Sequence, residues 1–534
     1  MGELGKTLIE NTRMHTIKAA SWGSSPLEWG LGLQVPLPKL LAKVVRAVAV
    51  VSALAGLVFT VAYPAGSWQN LAGAVAADMG GTLWLLLWLG TTPDWKLAVN
   101  PLTGLLGLYA LRRWLGLIFV VSHASSLASP FNVVPTQAYI ASSAKAEWIT
   151  LLGTVAFCCG WVLARRRRSA GGGLTASTAW RDRQLWFAYA VGLAGYLVNW
   201  LLPGVAARLG SFFTVTSGLA YGSIFALFAF STEFGIRGRL RLFTYLALLP
   251  LIANVLTFGM KSAFFFALLP VGAAYLLKRP GKGLALSTVA LLFLLVFVYP
   301  YVQEYREVNW GPNPRGESVG EVARRVQQNI SQEGTLHTVK GSWDQFELRF
   351  GSVNEAGAVV YFADHTGLVG GFFIRYLLIG FIPRLLWPGK PSWDPSGWFT
   401  DFLAGGTGAY VPGASSTALH IAPELYWMYG WLGTLFGMFL LGLFYRKVSD
   451  WLLASGTKSS VFWAAWYVFL QFVTFIEEVR FNTAILTPFI LLANTVAVSM
   501  LVGMLGPRRV GLVHHGSTRM RGGRAGAAHL HREQ

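Results

Sequence analysis

The sequence predicts an all-α polytopic membrane protein with about 12 transmembrane helices and one large external loop. Hydrophobic residues make up 54% of the chain and charged residues only 13%, a balance that fits no ordinary soluble class. Apolar stretches of about 20 residues recur along the chain, and a helix of that length crosses the hydrocarbon core of a bilayer. A transmembrane β-barrel would show short alternating segments instead, and these stretches do not alternate.

The predicted spans follow one another closely up to residue 301 and resume near residue 419. They are 40–63, 71–91, 98–121, 148–164, 184–202, 211–231, 241–258, 262–277, 283–301, 419–444, 461–477 and 483–505. The chain is thereby divided into a cytoplasmic N-terminal arm at 1–39, a nine-helix membrane region at 40–301, a large external (periplasmic) loop at 302–418, a three-helix membrane region at 419–505 and a basic cytoplasmic tail at 506–534.

The net charge of +19 would suit nucleic-acid binding, but the distribution of basic residues indicates membrane topology instead. With a cytoplasmic N-terminus, the basic clusters fall in cytoplasmic segments: 165–168, 237–241, 278–282, 446–447 and the tail. The short outer loops hold isolated cations: Lys145, Arg208, Lys261 and Arg480. This asymmetry follows the positive-inside rule. We therefore predict a multi-pass membrane protein with both termini cytoplasmic and no nucleic-acid partner.

The segment 302–418 is too long to be a structureless connection in a compact protein. We therefore expect it to fold and to carry the functional site of the protein. Residues 318–330 have helical spacing, and 342–365 is amphipathic, with aromatic residues suited to rest on a membrane surface. The apolar run 371–387 is interrupted by Gly380, by proline and by arginine. We therefore expect it to be an interfacial or re-entrant helix that is buried against protein.

Four cations follow one another along this loop: Arg349, Arg375, Arg384 and Lys390. A cation in apolar surroundings is costly unless an anion meets it. Because a guanidinium group forks onto phosphate oxygens, this set suits a diphosphate that must be held and stabilised as it leaves. Pairing with carboxylates of the same loop, or contact with lipid headgroups, is the alternative explanation.

Two candidate bases lie at the predicted outer mouth of the tenth span. Glu424 follows the helix-breaking Pro423, and a carboxylate there can take a proton from a sugar hydroxyl. A purely structural role at the first turn of a helix, where the dipole stabilises a carboxylate, is equally open. His420 is the second candidate base, although a single histidine is more often a hydrogen-bonded packing residue.

Further ionisable residues stand in or next to predicted spans. Glu477 and Arg480 lie at the junction of the last two spans, where they form either a secondary functional site or a short exposed loop. Arg112 and Arg113 either reach out to lipid headgroups or face an interior cavity.

Several chemical motifs are missing from the sequence. It contains no glycine-rich phosphate loop, no His/Cys cluster with metal-ligand spacing and no nucleophile elbow. Asp78 and Glu147 each stand alone, with no second carboxylate close to them in the sequence. We therefore expect chemistry that uses no cofactor and no metal and that depends on arginines.

The segments that carry the cations and the bases resemble those of Wzy-type oligosaccharide repeat-unit polymerases, the O-antigen and exopolysaccharide polymerases. The resemblance rests on Ile382–Pro391 (IPRLLWPGKP), Ser415–Thr417, Pro423–Tyr426 (PELY), the glycines Gly430, Gly433 and Gly437, and Arg349-Phe350 upstream. Tyr429 stands where the family usually has an asparagine before the glycine.

This resemblance implies a multi-pass protein of the bacterial inner (cytoplasmic) membrane. It also implies a metal-independent glycosyltransferase that polymerises undecaprenyl-diphosphate-linked oligosaccharides at the outer face of that membrane. It implies that Arg384 and Arg375 grip the diphosphate with help from Arg349 and Lys390, and that Glu424 or His420 deprotonates the acceptor. Four aromatic residues are expected to stack on sugars: Trp387, Trp393, Trp398 and Tyr410. The implied partners are lipid-linked oligosaccharides, membrane lipids, a chain-length regulator and a flippase.

Two other functions fit the same architecture. One is an O-antigen ligase-like or other lipid-linked glycosyltransferase. The other is a transporter of lipid-linked oligosaccharide, which would carry charges along several spans and a two-lobed repeat. The fourth to ninth predicted spans carry almost no charge, so the sequence favours an enzyme over a transporter.

Overall fold

A computed structural model describes most of the membrane regions of the chain. The described residues are 34–36, 39–89, 96–98, 101–125, 133–164, 178–202, 211–229, 298–310, 316–334, 355–382, 386–390, 419–456 and 459–505, together with a few isolated positions between these segments.

These segments are almost entirely helical. In chain order the helices are α1 (Lys39–Ala62), α2 (Trp68–Leu89), α3 (Pro101–Ser122), α4 (Thr136–Leu163), α5 (Thr178–Leu201), α6 (Ser211–Ala229), α7 (Tyr299–Trp310), α8 (Val319–Glu333), α9 (Glu355–Thr366), α10 (Phe372–Gly380), α11 (Ile421–Gly456), α12 (Val461–Thr474) and α13 (Phe481–Leu505). A single 3-10 turn, Ile476–Glu478, joins α12 to α13.

Two short strands, β1 (Gln34–Pro36) and β2 (Lys96–Ala98), pair antiparallel, with Val35 opposite Leu97. They join the chain just before α1 to the chain just before α3. This pairing places the first residues of α1 and α3 at the same end of the helix bundle, as expected for consecutive antiparallel spans.

Among the described residues, six helices are long and apolar enough to cross a membrane: α1, α2, α3, α4, α11 and α13. Each has at least 20 residues in its apolar segment, which at 1.5 Å per residue matches the thickness of the hydrocarbon core. Shorter apolar helices lie at Val215–Phe228 and Val461–Thr474. The all-helical, membrane-embedded class is confirmed, and the total of about 12 spans stays a prediction.

Two predicted spans have wrong limits. The fourth, predicted at 148–164, begins twelve residues earlier, at Thr136, because the charges in its first half are paired inside the protein and do not end the helix. The tenth, predicted at 419–444, continues to Gly456 and is broken by a kink. The predicted spans at 241–258, 262–277 and 283–301 lie almost wholly outside the described residues.

The segment 302–418 is described in part. Helix α8 begins at a capping box in which the Ser318 and Glu321 side chains bond each other's backbone N–H groups. Helix α9 is buried along most of its length against α4 and α11, so the expectation that this stretch rests on the membrane surface is wrong for its described part. Helix α10 has nine residues, about 13 Å, and is too short to cross a bilayer.

The core forms where the helices pack in pairs. Helix α1 lies along α2, α4 lies along α11, and α6 contacts both α5 and α12. The opposite face of α1 exposes a row of large apolar side chains, namely Val51, Leu54, Val58 and Val61. An apolar face without protein contacts is expected on a helix at the lipid boundary of a membrane protein.

The contact between α4 and α11 depends on glycine. A Cβ atom at Gly160 would collide with the carbonyl oxygen of Phe439, and one at Gly442 would collide with that of Phe157. Small residues let membrane helices approach until their backbones touch. This close crossing fixes the position of α11, which carries the candidate base Glu424 and directly follows His420.

Helix α11 consists of two helices joined by a sharp turn. Tyr429 and Gly430 leave the helical conformation, and Gly430 has φ 65° and ψ −154°, a region open only to glycine. The first part, 421–428, is wholly buried, whereas 431–456 has the length of a span. A Cβ at Gly433 would lie 2.6 Å from the carbonyl oxygen of Leu425, so glycine lets the two parts fold closely together. We call this pair the α11 hairpin.

Candidate functional site

A cluster of buried charges lies between α2, α3, α4 and the 3-10 turn. Arg113 is 1% exposed and contacts three carboxylates. Its Nε lies 2.5 Å from Asp78 and 2.8 Å from Glu147, and its Nη2 lies 2.6 Å from Glu477. Arg112 adds a contact of 3.3 Å to Glu477. The cluster thus joins four elements of the bundle through one guanidinium group.

This cluster decides between two alternatives that the sequence left open and corrects one sequence prediction. Arg112 and Arg113 face the interior and do not reach lipid headgroups, which decides between the two alternatives for them. Asp78 and Glu147 do not stand alone, because both are bound to Arg113. Sequence reasoning missed these pairs because their members are far apart along the chain, although ionisable residues within apolar spans were the signal that could have found them.

Glu477 is 3% exposed and contacts both arginines, so it does not lie in a short exposed loop, which was one of its two alternatives. It is buried, and burial alone raises the pKa of Glu477. The guanidinium groups of Arg113 and Arg112 outweigh burial and lower the pKa to about 2. Glu477 therefore carries its charge at any physiological pH and holds the 3-10 turn against α3.

His420 lies at the edge of the cluster, just before α11. Its Nε2 is 3.5 Å from Oε2 of Glu355, the first residue of α9. Burial raises the pKa of Glu355, but the hydrogen bond and the charge of His420 outweigh it and lower the pKa below its ordinary value. His420 is buried, its φ is 55°, and its Nδ1 has no hydrogen-bond partner among the described residues. A strained, buried histidine with an open nitrogen remains compatible with both roles considered for it.

Glu424 lies in the buried part of the α11 hairpin and is 0% exposed. Its Oε2 accepts a 2.7 Å hydrogen bond from the backbone N–H of Phe481, the first residue of α13. The first N–H groups of a helix have no partner within the helix, so Glu424 caps α13 although it lies 57 positions earlier in the chain. Its Oε1 has no hydrogen-bond partner in the described part of the chain. The carboxylate therefore has one oxygen in a structural hydrogen bond and one buried oxygen that is left open, that is, without a hydrogen-bond partner among the described residues.

An apolar groove of about 660 Å³ runs beside this carboxylate. Its walls are α10, the α11 hairpin and the first turns of α13. They include Leu425, which follows Glu424 in the chain, and Phe481, whose N–H group donates to Glu424. The remaining lining residues are Ile374, Met428, Tyr429, Leu432, Gly433, Phe436, Gly437, Leu440, Leu441, Phe444, Ile485 and Phe489. A groove of this size and composition can hold an acyl or polyprenyl chain.

The cations of the predicted diphosphate site are described only in part. Arg375 lies on α10, the helix that forms one wall of the groove. The ammonium group of Lys390 donates to the carbonyl oxygens of Ile382, at 2.8 Å, and Gly380, at 3.4 Å, so it closes the turn that follows α10. Arg349 and Arg384 lie outside the described residues.

The remaining predicted residues are placed as follows. Trp387 is exposed in the turn after α10, and Arg480 lies close enough to Glu424 to interact with it electrostatically. Trp393, Trp398 and Tyr410 lie outside the described residues. The structure therefore brings Glu424, Arg480, α10 and the groove together, and it sets His420 beside the charge cluster.

The C-terminus of the short buried helix 421–428 is bound by backbone hydrogen bonds to the chain that precedes α10. The N–H groups of Val369 and Gly370 donate to the carbonyl oxygens of Trp427 and Met428, at 3.0 Å and 3.1 Å. These carbonyls would otherwise be unpaired at the end of a buried helix. The bonds hold the chain that leads into α10 against the kink of the α11 hairpin.

The chain belongs to a protein family described as a domain of unknown function, DUF8712, whose model matches residues 121–452. The match includes α4, α9, α10 and the α11 hairpin, and it ends before Glu477 and Arg480. No curated protein and no solved structure matches the chain.

Proposed function

We propose that the protein is a metal-independent glycosyltransferase that polymerises oligosaccharide repeat units linked to undecaprenyl diphosphate at the outer face of the bacterial inner membrane. The observation that carries this proposal is the apolar groove, about 660 Å³ in volume, beside a buried carboxylate with one open oxygen. A polyprenyl-linked donor needs an apolar site for its lipid next to a polar site for its chemistry, and the groove and Glu424 are neighbours of that kind.

The lipid end of the donor is assigned to the groove. Its lining side chains are aliphatic and aromatic, which suits a polyprenyl chain and offers nothing to a hydrated solute. Helix α10 forms one wall and carries Arg375, and Arg384 follows nine residues later in the sequence. In the proposal these two arginines hold the diphosphate at the polar end of the groove, and Arg349 and Lys390 assist them.

The chemistry assigns one step to each group. The open Oε1 of Glu424 takes the proton of an acceptor hydroxyl, and the hydroxyl oxygen forms a bond to the anomeric carbon of the donor glycan. The bond from that carbon to the diphosphate breaks, and undecaprenyl diphosphate leaves with the electron pair while the arginines offset its charge. Because Glu424 is fully buried, the acceptor has to displace the side chains that cover it. His420, with its open Nδ1, is the alternative base.

The groove is tested by Leu432→Trp, which fills it from a side chain that is 79% exposed. The matched control is Leu54→Trp on α1, where the side chain is 59% exposed and lies outside the groove. We expect short or absent polymer on gels of surface polysaccharide from Leu432→Trp cells and normal polymer from the control. Normal polymer from both, at equal protein levels, would contradict the assignment of the groove.

The polar groups are tested with Arg384→Ala and with a pair of substitutions at Glu424. Glu424→Gln keeps an acceptor for the N–H of Phe481 and removes the base, whereas Glu424→Ala removes both. We expect Glu424→Gln protein to stay folded and to lose at least 100-fold in polymerisation rate, as expected when a general base is removed. Normal-length polymer from Arg384→Ala and Glu424→Gln cells would end the assignment. Purified protein that forms ladders only after metal is added would contradict the metal-free mechanism.

A transporter of lipid-linked oligosaccharide is the second candidate, and one observation favours it. The charge cluster joins three apolar helices, α2, α3 and α4, and buried charge on several spans is typical of transport proteins. Lipid analysis of a deletion strain separates the candidates. A strain without a polymerase still makes single lipid-linked units at the outer face, a strain without a transporter retains them inside, and a strain without a ligase accumulates long lipid-linked chains.

A further inference from the structure

A second cavity, also about 660 Å³, lies against the other face of the α11 hairpin. It is formed by the end of α1, the start of α2, α4 and the end of α9. Its lining differs from that of the groove, because it combines charged, amide, hydroxyl and imidazole groups with two tryptophans. The residues that matter below are Lys145, Asp364, His365, Trp148 and Trp431.

The two cavities are related through the sequence of the hairpin. Leu425 and Leu432 line the apolar groove, whereas their neighbour Trp431 lines the second cavity, and Tyr426 contacts Asp364 at its wall. Successive helical residues point in different directions, so adjacent positions serve opposite cavities. The hairpin therefore contributes side chains to both the apolar groove and the second cavity, which we call the polar cavity after the ionisable groups set in its otherwise apolar wall.

An ion pair with fixed geometry lies in the polar cavity. The ammonium group of Lys145 donates to both oxygens of Asp364, at 2.8 Å and 2.7 Å, and lies 5.0 Å from the ring centre of Tyr426. The hydroxyl of Tyr426 donates to the same carboxylate at 2.8 Å. About a third of the Lys145 and Asp364 side chains is exposed, so both can also bond a ligand. The pair is electrically neutral, which favours an uncharged polar ligand over a phosphate or a cation.

The remaining polar and aromatic groups fit a sugar. Nδ1 of His365 lies 2.7 Å from the carbonyl oxygen of Tyr361, and because a carbonyl only accepts, Nδ1 carries the hydrogen. In the neutral ring Nε2 is then an acceptor for a hydroxyl group. Trp148 and Trp431 are partly exposed apolar surfaces on which the C–H face of a pyranose can rest. Donors, acceptors and aromatic faces in one neutral cavity suit a polyhydroxylated ligand.

We propose that this polar cavity binds a neutral saccharide, namely the glycan of the acceptor unit, while the donor lipid occupies the groove on the other side of the hairpin. The assignment of acceptor and donor depends on the proposed function, but binding of a saccharide by the cavity does not. The size of the cavity suits one or two sugar rings.

The experiment uses the full chain in lipid nanodiscs. The probe is the free oligosaccharide released by mild acid hydrolysis from the surface polysaccharide of cells that carry this gene, and binding is followed by tryptophan fluorescence and saturation-transfer NMR. We expect saturable binding by the wild-type protein and at least tenfold weaker binding by Asp364→Asn and by Lys145→Gln. Leu54→Trp, on the face of α1 that lies outside the cavity, is expected to bind as the wild type does.

The exchange variant Lys145→Asp with Asp364→Lys separates binding from stability. It keeps an ion pair between α4 and α9. If the pair had only a structural role, the exchange would therefore restore both the thermal stability and the saccharide binding of the protein. We expect restored stability without restored binding, because the donors and acceptors that face the ligand have changed places. Absence of binding by the wild-type protein, or unchanged affinity in Asp364→Asn, would overturn the proposal.

The outcomes also separate this proposal from the proposed function. Saccharide binding together with normal polymer from Leu432→Trp and Glu424→Gln cells would leave the cavity assigned and remove the polymerase mechanism. Loss of polymer in those cells, without any saccharide binding by the wild-type protein, would support the polymerase mechanism and remove the assignment of the cavity.

Discussion

At the residue scale, the most constrained group in the structure is the guanidinium of Arg113. Removing a charge from water is costly, and a buried cation persists only when its hydrogen-bonding groups are met by anions in good geometry. Three carboxylates from α2, α4 and the 3-10 turn meet it at 2.5–2.8 Å. Such a cluster specifies which helices lie together, and removal of Arg113 would leave three buried carboxylates without the partner that they share.

Glu477→Gln is expected to lower the stability of the protein by about 3–5 kcal/mol at pH 7, the usual cost of removing one partner of a buried ion pair. Thermal unfolding in detergent, followed by tryptophan fluorescence, measures the effect. The control is Glu321→Gln in the exposed capping box of α8, where glutamine keeps the hydrogen bond and the unfolding midpoint should stay close to that of the wild type. Equal unfolding midpoints for Glu477→Gln and the wild type would show that Asp78 and Glu147 satisfy Arg113 alone.

The same carboxylate predicts a pH dependence. Its pKa is about 2 in the folded protein and near 4.3 in an unfolded chain, so the folded state favours the charged form. The stabilisation is therefore complete above about pH 5 and is lost as the pH falls toward 2, by on the order of 3 kcal/mol in all. We expect wild-type stability to fall more steeply than that of Glu477→Gln between pH 5 and pH 3. Parallel curves would contradict the ionised pairing.

At the element scale, the α11 hairpin is the feature on which both cavities depend. The kink at Tyr429-Gly430 turns the chain back, and the short buried helix 421–428 then presents Glu424 to α13 and Tyr426 to the polar cavity. The glycines after the kink allow the two parts to touch. An unbroken α11 would place Glu424 and Tyr426 elsewhere, and both contacts would be lost.

Gly430→Ala is therefore expected to destabilise the protein by about 1–3 kcal/mol, because alanine cannot adopt the φ of 65° and ψ of −154° without strain. Thermal unfolding in detergent measures the change, and polymer length in cells reports on the cavities. The matched control is Gly320→Ala in α8, where an added Cβ meets nothing within 4 Å and stability should stay equal or rise slightly. A Gly430→Ala protein as stable as the control would show that the kink is not held by this residue.

At the scale of the whole molecule, the orientation of the helix bundle in the membrane decides on which side of the membrane each cavity lies. The pairing of β1 with β2 sets the starts of α1 and α3 at one end of the bundle, and the polar cavity is lined near the end of α1 and the start of α2, at the other end. With the cytoplasmic N-terminus predicted from the basic clusters, the polar cavity lies toward the outer face. The proposed chemistry needs that orientation, because the proposal places the polymerisation of lipid-linked units at the outer face.

Reporter fusions test this orientation. Green fluorescent protein fused after Gln534 should fluoresce, since it folds in the cytoplasm, and alkaline phosphatase inserted after Gly334 in the segment 302–418 should be active, since it requires the oxidising outer compartment. The control is alkaline phosphatase inserted at Gly171, in the predicted cytoplasmic linker, which should be inactive. Active phosphatase at Gly171, with an inactive fusion at Gly334, would reverse the topology and remove the outer-face function.

Part of the candidate site was visible in the sequence. The proline that precedes Glu424 at the mouth of a predicted span identifies it as a candidate base, and the structure places it next to a groove of about 660 Å³. Its bond to Phe481 was not predictable, because the two residues meet only when the turn after α12 folds back onto α11. Lys145 and Asp364 were missed as a pair for the same reason, since they are 219 positions apart.

The sequence by itself determined the class of the protein: a helical membrane protein whose long apolar stretches become helices, because a backbone in lipid has to satisfy its own hydrogen bonds locally. Local chemistry also sets the capping box of α8 and the glycine at the kink of α11. Only the tertiary structure decided which charges neutralise one another, where α11 breaks to form a partition, and which of its side chains face each cavity. Those outcomes depend on contacts between distant segments, whose free energy is not encoded in any local pattern.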